Sequence, residues 1–143
     1  MDMKLEKLIA ISGKPGLYQI ISQSKSGVIV ESLTDKKRLP VNNLNNISTL
    51  NDIAIYTYEE EVPLKQVFLN IHEKEAGKKS IEPKSDKAVL LEYFSAVLPE
   101  YDQERVYPSN IKKVIAWYNA LVDVEFDFSS IKEELEEEAK EEE

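Results

Sequence analysis

The hydrophobic pattern of the chain changes period near residue 60. Between Ser12 and Val41 (SGKPGLYQIISQSKSGVIVESLTDKKRLPV), two apolar runs, Leu17–Ile21 and Val28–Leu33, flank the polar turn Ser22–Gly27. Pro15-Gly16 precedes the first run, Thr34-Asp35 follows the second, and a third short run spans Arg38–Val41. β-Branched and aromatic residues bounded by turn formers predict strands joined by hairpins, here an antiparallel meander. Alternation sends Leu17, Ile21, Val28, Val30 and Leu39 inward and Ile29 to the other face. Upstream, Met3–Ile11 fits a helix through Leu5, Leu8 and Ile9, or a strand over Leu8–Ile11. Asn42–Asp52 (NNLNNISTLND) reads as a helical turn or a loop anchored by Leu44, Ile47 and Leu50. Ile53–Tyr58 alternates again, with Ala54, Tyr56 and Tyr58 on one face, and is placed to close the meander.

From Pro63 the spacing is helical. Leu64, Val67, Phe68 and Ile71 follow the i, i+3, i+4, i+7 stripe, with Pro63 in the first turn and Gly77 at the end. Lys78–Lys84 (KKSIEPK) is a linker by composition. Ser85 and Asp86 offer caps for a second helix, Lys87–Leu98, with apolar positions at Val89/Leu90, Phe94 and Val97/Leu98. Pro99 stops it. Pro108-Ser109-Asn110 opens a third helix whose apolar face runs through Ile111, Val114, Ile115, Tyr118, Leu121 and Val122, capped by Ser109 or Asn110. Phe126, Phe128 and Ile131 are expected to fold back on the helices. Glu133–Glu143 is nearly all charged, which predicts an exposed or disordered tail.

Charge sharpens this division. The chain has 143 residues and a formal net charge of −9. Residues 1–50 hold seven Lys/Arg against four Asp/Glu, while residues 129–143 hold two against eight. The N-terminal part is thus mildly basic, well short of a usual nucleic-acid footprint. With no cysteine there is no disulfide framework, thiolate metal site or cysteine nucleophile. No run approaches ~18 apolar residues, and Met1–Lys7 lacks the features of a signal peptide. The expectation is a soluble, cytoplasmic protein.

Several residue sets carry potential chemistry, each with a plainer reading. Ser12–Gly16 is Gly-rich but lacks the GxxxxGK[ST] spacing of a phosphate loop and no long helix follows it. Glu59-Glu60-Glu61 points apart on consecutive positions, so it reads as solvated charge. Glu100, Asp102 and Glu104 lack the spacing and central Gly of a calcium loop, and Arg105 balances them locally. His72, the single histidine, has no Ser, Cys or paired acid placed to make it a general base. The N-terminus of the third helix, near Arg105, Lys112 and Lys113, suits a phosphate, though a core helix with surface lysines explains the same residues. A nucleic-acid surface would use Lys14, Lys25, Lys36, Lys37 and Arg38 on turns of the sheet, with only Tyr18 as a neighbouring aromatic.

The segments SGKPGLYQIISQSKSGVIVESL (Ser12–Leu33) and LPEYDQERVYPSNIKKVIAWYNAL (Leu98–Leu121) together resemble an uncharacterised family of small proteins from Bacteroides-like bacteria. That family pairs N-terminal and C-terminal domains of unknown function, and the likeness covers roughly residues 3–122. It implies a two-part architecture in the bacterial cytoplasm and, with no activity assigned to the family, carries over no catalytic or ligand residue. The resulting expectation is an α+β protein. A small SH3-like antiparallel β-barrel occupies residues 1–60, a helical domain of about three helices 61–128, and an acidic tail 129–143. A non-catalytic adaptor acting through protein–protein contacts is the expected function, with an RNA- or DNA-associated factor as the alternative. No enzyme activity, cofactor or metal is expected.

Overall fold

A computed structural model describes residues 5–42 and 46–141. Leu44, and the last two residues of the tail, lie outside that range. The chain divides into two compact units, Met1–Ile53 and Ala54–Glu143.

The first unit is a five-stranded antiparallel sheet. Leu5–Lys7 forms a single 3-10 turn and leads into β1, Leu8–Ile11. The strands β2 (Lys14–Ser24), β3 (Gly27–Ser32) and β4 (Arg38–Val41) form the expected meander. β5, Ile47–Thr49, returns to pair with β1, giving the order β4-β3-β2-β1-β5. Among the described residues no pairing joins β4 to β5, so the closed barrel expected for residues 1–60 is not found. The expected closing strand is also placed elsewhere, because β5 already occupies the free edge of β1 and Ile53–Tyr58 leaves the sheet.

One face of this sheet gathers Ile9, Ile11, Tyr18, Val30 and Val41, with Ile20, Val28, Leu39 and Ile47 packed around them. Leu8 and Leu17 are buried on the opposite side of β1 and β2, and Leu33, just past β3, is buried as well. Simple alternation fails at Ile21, which is 39% exposed. Between Ile20↔Val30 and Ser22↔Ile29, β2 advances two residues while β3 advances one, so Ile21 is the extra residue of a β-bulge. Leu17 is buried as alternation predicts, on the face opposite Tyr18 and Ile20, and Ile21 is the one position the bulge turns outward. Gly27 closes the other end of that hairpin at φ +151, where a Cβ would stand 2.3 Å from the Val41 carbonyl oxygen.

The second unit opens with a hairpin, β6 (Ala54–Tyr56) against β7 (Glu61–Pro63). Four helices follow: α1 Leu64–Lys74, α2 Lys87–Val97, α3 Pro108–Asp123 and α4 Ser129–Glu141. The predicted stripe of α1 is fully buried at Leu64, Val67, Phe68 and Ile71. On α2, Leu90, Phe94 and Val97 are buried while Val89 is exposed. α3 starts from Tyr107, two residues before the first predicted cap, Ser109: Pro108 takes the first turn, and Asn110 Oδ1 accepts the Tyr107 N–H at 2.8 Å. Its face through Ile111, Val114, Ile115, Tyr118 and Leu121 is buried.

Four helices replace the expected three because the tail does not stay loose. Phe126, Phe128 and Ile131 are buried, and Phe128 stacks on His72 with ring centroids 4.4 Å apart. These anchors start α4, and two of its glutamates then reach Lys65 of α1, at 2.5 Å (Glu138) and 3.7 Å (Glu134). Beyond Leu135 the helix is exposed, as its charge dictates.

The predicted linker is likewise held. Ser80 N–H and Oγ both donate to Asn119 Oδ1 at 2.8 Å, and the Tyr118 hydroxyl donates to the Lys78 carbonyl at 2.7 Å.

Candidate functional site

The five basic residues singled out from the sequence do not form one patch. All are exposed and belong to the first unit. Lys14 opens β2, while Lys36 and Lys37 lie in the β3–β4 turn at the same end of the sheet. Lys25 sits in the β2–β3 turn, roughly 30 Å away along the length of β2. Arg38 is paired with Glu31 at 3.0 Å across the β3–β4 ladder. Lys36 takes a left-handed conformation (φ 63) inside a turn closed by its N–H to the Ser32 carbonyl, and Asp35 Oδ1 caps the Lys37 N–H.

His72 is half-buried and stacked on Phe128. Among the described residues no group of three His, Cys, Asp or Glu side chains is arranged to hold a metal ion. No helix there is long and apolar enough to cross a membrane.

A more organised surface lies in the second unit, where the β6–β7 hairpin meets the loop after α2. The Asp102 N–H donates to the Tyr56 carbonyl at 2.9 Å and the Tyr58 N–H to the Glu100 carbonyl at 3.1 Å. Thr57 bridges to Tyr101 between them, so the loop adds a short third strand to the hairpin. Thr57 also ties the tight turn, its Oγ1 donating to the Glu60 carbonyl and accepting the Glu60 N–H. Glu100 takes φ 69, an uncommon conformation for a non-glycine residue, while its carbonyl faces Tyr58.

Two exposed aromatic side chains, Tyr56 and Tyr58, sit on this frame, and a third, Tyr107, follows the loop at the start of α3. Tyr56 is 40%, Tyr58 62% and Tyr107 59% exposed. The Arg105 guanidinium lies over the Tyr56 ring, 5.2 Å from its centroid, and is held 3.5 Å from the buried Asp102 carboxylate. Asp102 also accepts the Glu104 N–H through its other oxygen. The Tyr58 hydroxyl accepts the Gln103 N–H at 3.3 Å, which ties the ring back to the loop. Exposed glutamates 59, 60, 61, 100 and 104 occupy the same two segments.

Chemically, such a surface can bind but offers no nucleophile–base pair. Rigid tyrosines and an arginine are the residue types that dominate protein interfaces, because each presents a large contact area at small entropic cost. Sequence reading located Tyr56 and Tyr58 on one strand face, and Arg105 among acids, without joining them. The signal that unites them is the pairing of residues 56–58 with 100–102, which is long-range and carries no local motif.

A second polar cluster serves packing. The Tyr93 hydroxyl donates to Glu75, and Lys74 lies 5.6 Å from the Tyr93 ring centroid. Burial, followed by that hydrogen bond and the Glu75 charge, raises the Tyr93 hydroxyl well above its ordinary range. Burial, with a smaller contribution from Glu75, pushes Tyr118 up to about 12. Both groups stay protonated and hold the α1–α2 connection in place.

The fold defines a two-unit α+β protein. Two family models match it in series: "Domain of unknown function (DUF5606)" over residues 5–50 and "Domain of unknown function (DUF6852)" over residues 53–121. The two matched spans divide within a few residues of the boundary between the two structural units, and the second ends before α4. A solution NMR structure from Bacteroides vulgatus, a Northeast Structural Genomics Consortium target, is 43% identical with a TM-score of 0.72, covering 87% of this chain and 91% of its own. The chain belongs to the family that joins these two domains. Among proteins of curated function nothing matches.

Proposed function

We propose that this protein is a non-catalytic cytoplasmic adaptor that binds another protein through the surface built from Tyr56, Tyr58, Arg105 and Tyr107. The observation that carries this reading is the exposure of Tyr56 and Tyr58 on a hydrogen-bonded frame, with Arg105 stacked on Tyr56 and Tyr107 exposed just beyond the loop. Monomer surfaces seldom expose large aromatics on a rigid support without a use for them. The first unit, by its order β4-β3-β2-β1-β5, corresponds on this reading to an open SH3-like barrel, a fold that mostly serves binding.

One observation favours the nucleic-acid alternative. Lys14, Lys36 and Lys37 share one end of the sheet, and none of them is in an ion pair among the described residues. Three lysines are a weak phosphate footprint beside a net charge of −9. Affinity capture from a bacterial lysate, with and without nuclease, separates the two. The adaptor reading expects a protein retained after nuclease by the wild type and lost by Tyr58→Ala. Retention that disappears with nuclease and is unaffected by Tyr58→Ala would transfer the function to the basic turns.

A further inference from the structure

The tyrosine surface also carries information about the chemistry of its partner. Hairpin residues 54–63 and loop residues 99–107 together hold six carboxylates and one guanidinium. The single guanidinium, on Arg105, is engaged by Asp102. The other five carboxylates, at 59, 60, 61, 100 and 104, are exposed and make no ion pair among the described residues. A surface of rigid aromatic faces set among free carboxylates is complementary to cations and repels phosphates.

Arg105 shows how such a surface receives a cation. Its guanidinium covers the face of Tyr56 while its Nε reaches a carboxylate oxygen. Tyr58 and Tyr107 present rings more exposed than that of Tyr56, with Glu59 and Glu60 directly after Tyr58 in the chain and Glu104 three positions before Tyr107. A planar guanidinium can lie flat on a ring and donate to a carboxylate through its edge at the same time. An ammonium, a compact and strongly hydrated charge, matches the two contacts less well.

We infer that this surface docks an arginine-bearing basic segment of a partner protein, its guanidinium groups stacking on Tyr58 and Tyr107 and pairing with the adjoining glutamates. The inference rests on the protein-binding reading above and adds the class of partner to it. The acidic α4 attracts any polycation through charge alone, so the aromatic contribution is what identifies the site.

The test is fluorescence anisotropy of a labelled arginine–glycine repeat peptide with the full-length chain, against a lysine–glycine peptide of equal length and charge. Four proteins are compared: wild type, Tyr58→Ala, Tyr58→Phe and Tyr107→Ala. Both positions are exposed, and circular dichroism confirms that each variant is folded. The arginine peptide is expected to bind the wild type several-fold more tightly than the lysine peptide. Tyr58→Ala and Tyr107→Ala each weaken it roughly fivefold, the scale of one exposed cation–π contact, while Tyr58→Phe keeps most of the affinity. Equal affinity for the two peptides, equal binding by wild type and both alanine variants, or no binding to wild type at low salt each overturns the inference. Capture of a nuclease-resistant protein that depends on Tyr58, alongside no arginine-peptide binding, would retain the adaptor and discard the arginine partner.

Discussion

Neutralising Glu134 and Glu138 together tests how the acidic helix α4 is held. Their common partner, Lys65, has a side chain only 5% exposed, whereas the glutamates are 40% and 52% exposed. At 2.5 Å and 3.7 Å the gross attractions are roughly 7 and 4 kcal/mol for an effective dielectric constant of 20. Desolvation of Lys65 opposes most of this, and solvent screens the half-exposed carboxylates. The net cost of the Glu134→Gln, Glu138→Gln double variant is therefore ~2 kcal/mol, between the ~1 kcal/mol of exposed pairs and the ~3–5 kcal/mol of a broken buried pair. Lys65→Met behaves differently, because it removes the buried charge and keeps an unbranched chain of similar length. Its stability change stays within ~1 kcal/mol of wild type, in either direction. In the Lys65→Met background the two glutamine substitutions should cost under ~0.5 kcal/mol. Urea denaturation followed by circular dichroism measures all four proteins, and added salt should shrink the wild-type cost. An equal cost in both backgrounds would show that Lys65 does not hold the helix.

Two further outcomes concern packing and pH. Gly27→Ala drives a Cβ against the Val41 carbonyl oxygen, a backbone atom that cannot swing aside. It should lower the stability of the first unit by about 2 kcal/mol, measurable as a reduced denaturation midpoint. Tyr118, raised from an ordinary value of 10.0 to about 12, favours the folded state in its neutral form. Its contribution is complete below pH 10 and declines as pH rises from 10 to about 12, because the unfolded chain ionises first. Tyr118→Phe should flatten that decline relative to wild type, and an unchanged slope would remove Tyr118 as its source.

Much of the fold is legible locally. Period-two runs between turn formers give β2, β3 and β4, and the i, i+3, i+4 stripes give α1, α2 and α3. Three features are not local and escape the pattern. Ile21 turns outward because β2 takes one extra residue against β3, a consequence of pairing rather than composition. The strand at Ala54–Tyr56 joins β7 because β5 has already filled the edge of β1. The charged tail forms α4 because Phe126, Phe128 and Ile131 anchor its start and a buried lysine meets its glutamates. Composition alone shows only its low apolar content. The candidate surface is hidden for the same reason as β6: its tyrosines and its arginine are brought together by residues some 45 positions apart, as in the Gln103–Tyr58 hydrogen bond.

Photocrosslinking locates the partner contact most directly. A benzophenone-bearing phenylalanine is placed in turn at position 58, on the tyrosine surface, and at position 36, in the basic turn, and irradiated in lysate. The adaptor account predicts a discrete protein adduct from position 58 that survives nuclease, and none from position 36. A nuclease-sensitive adduct from position 36, with position 58 silent, would contradict it.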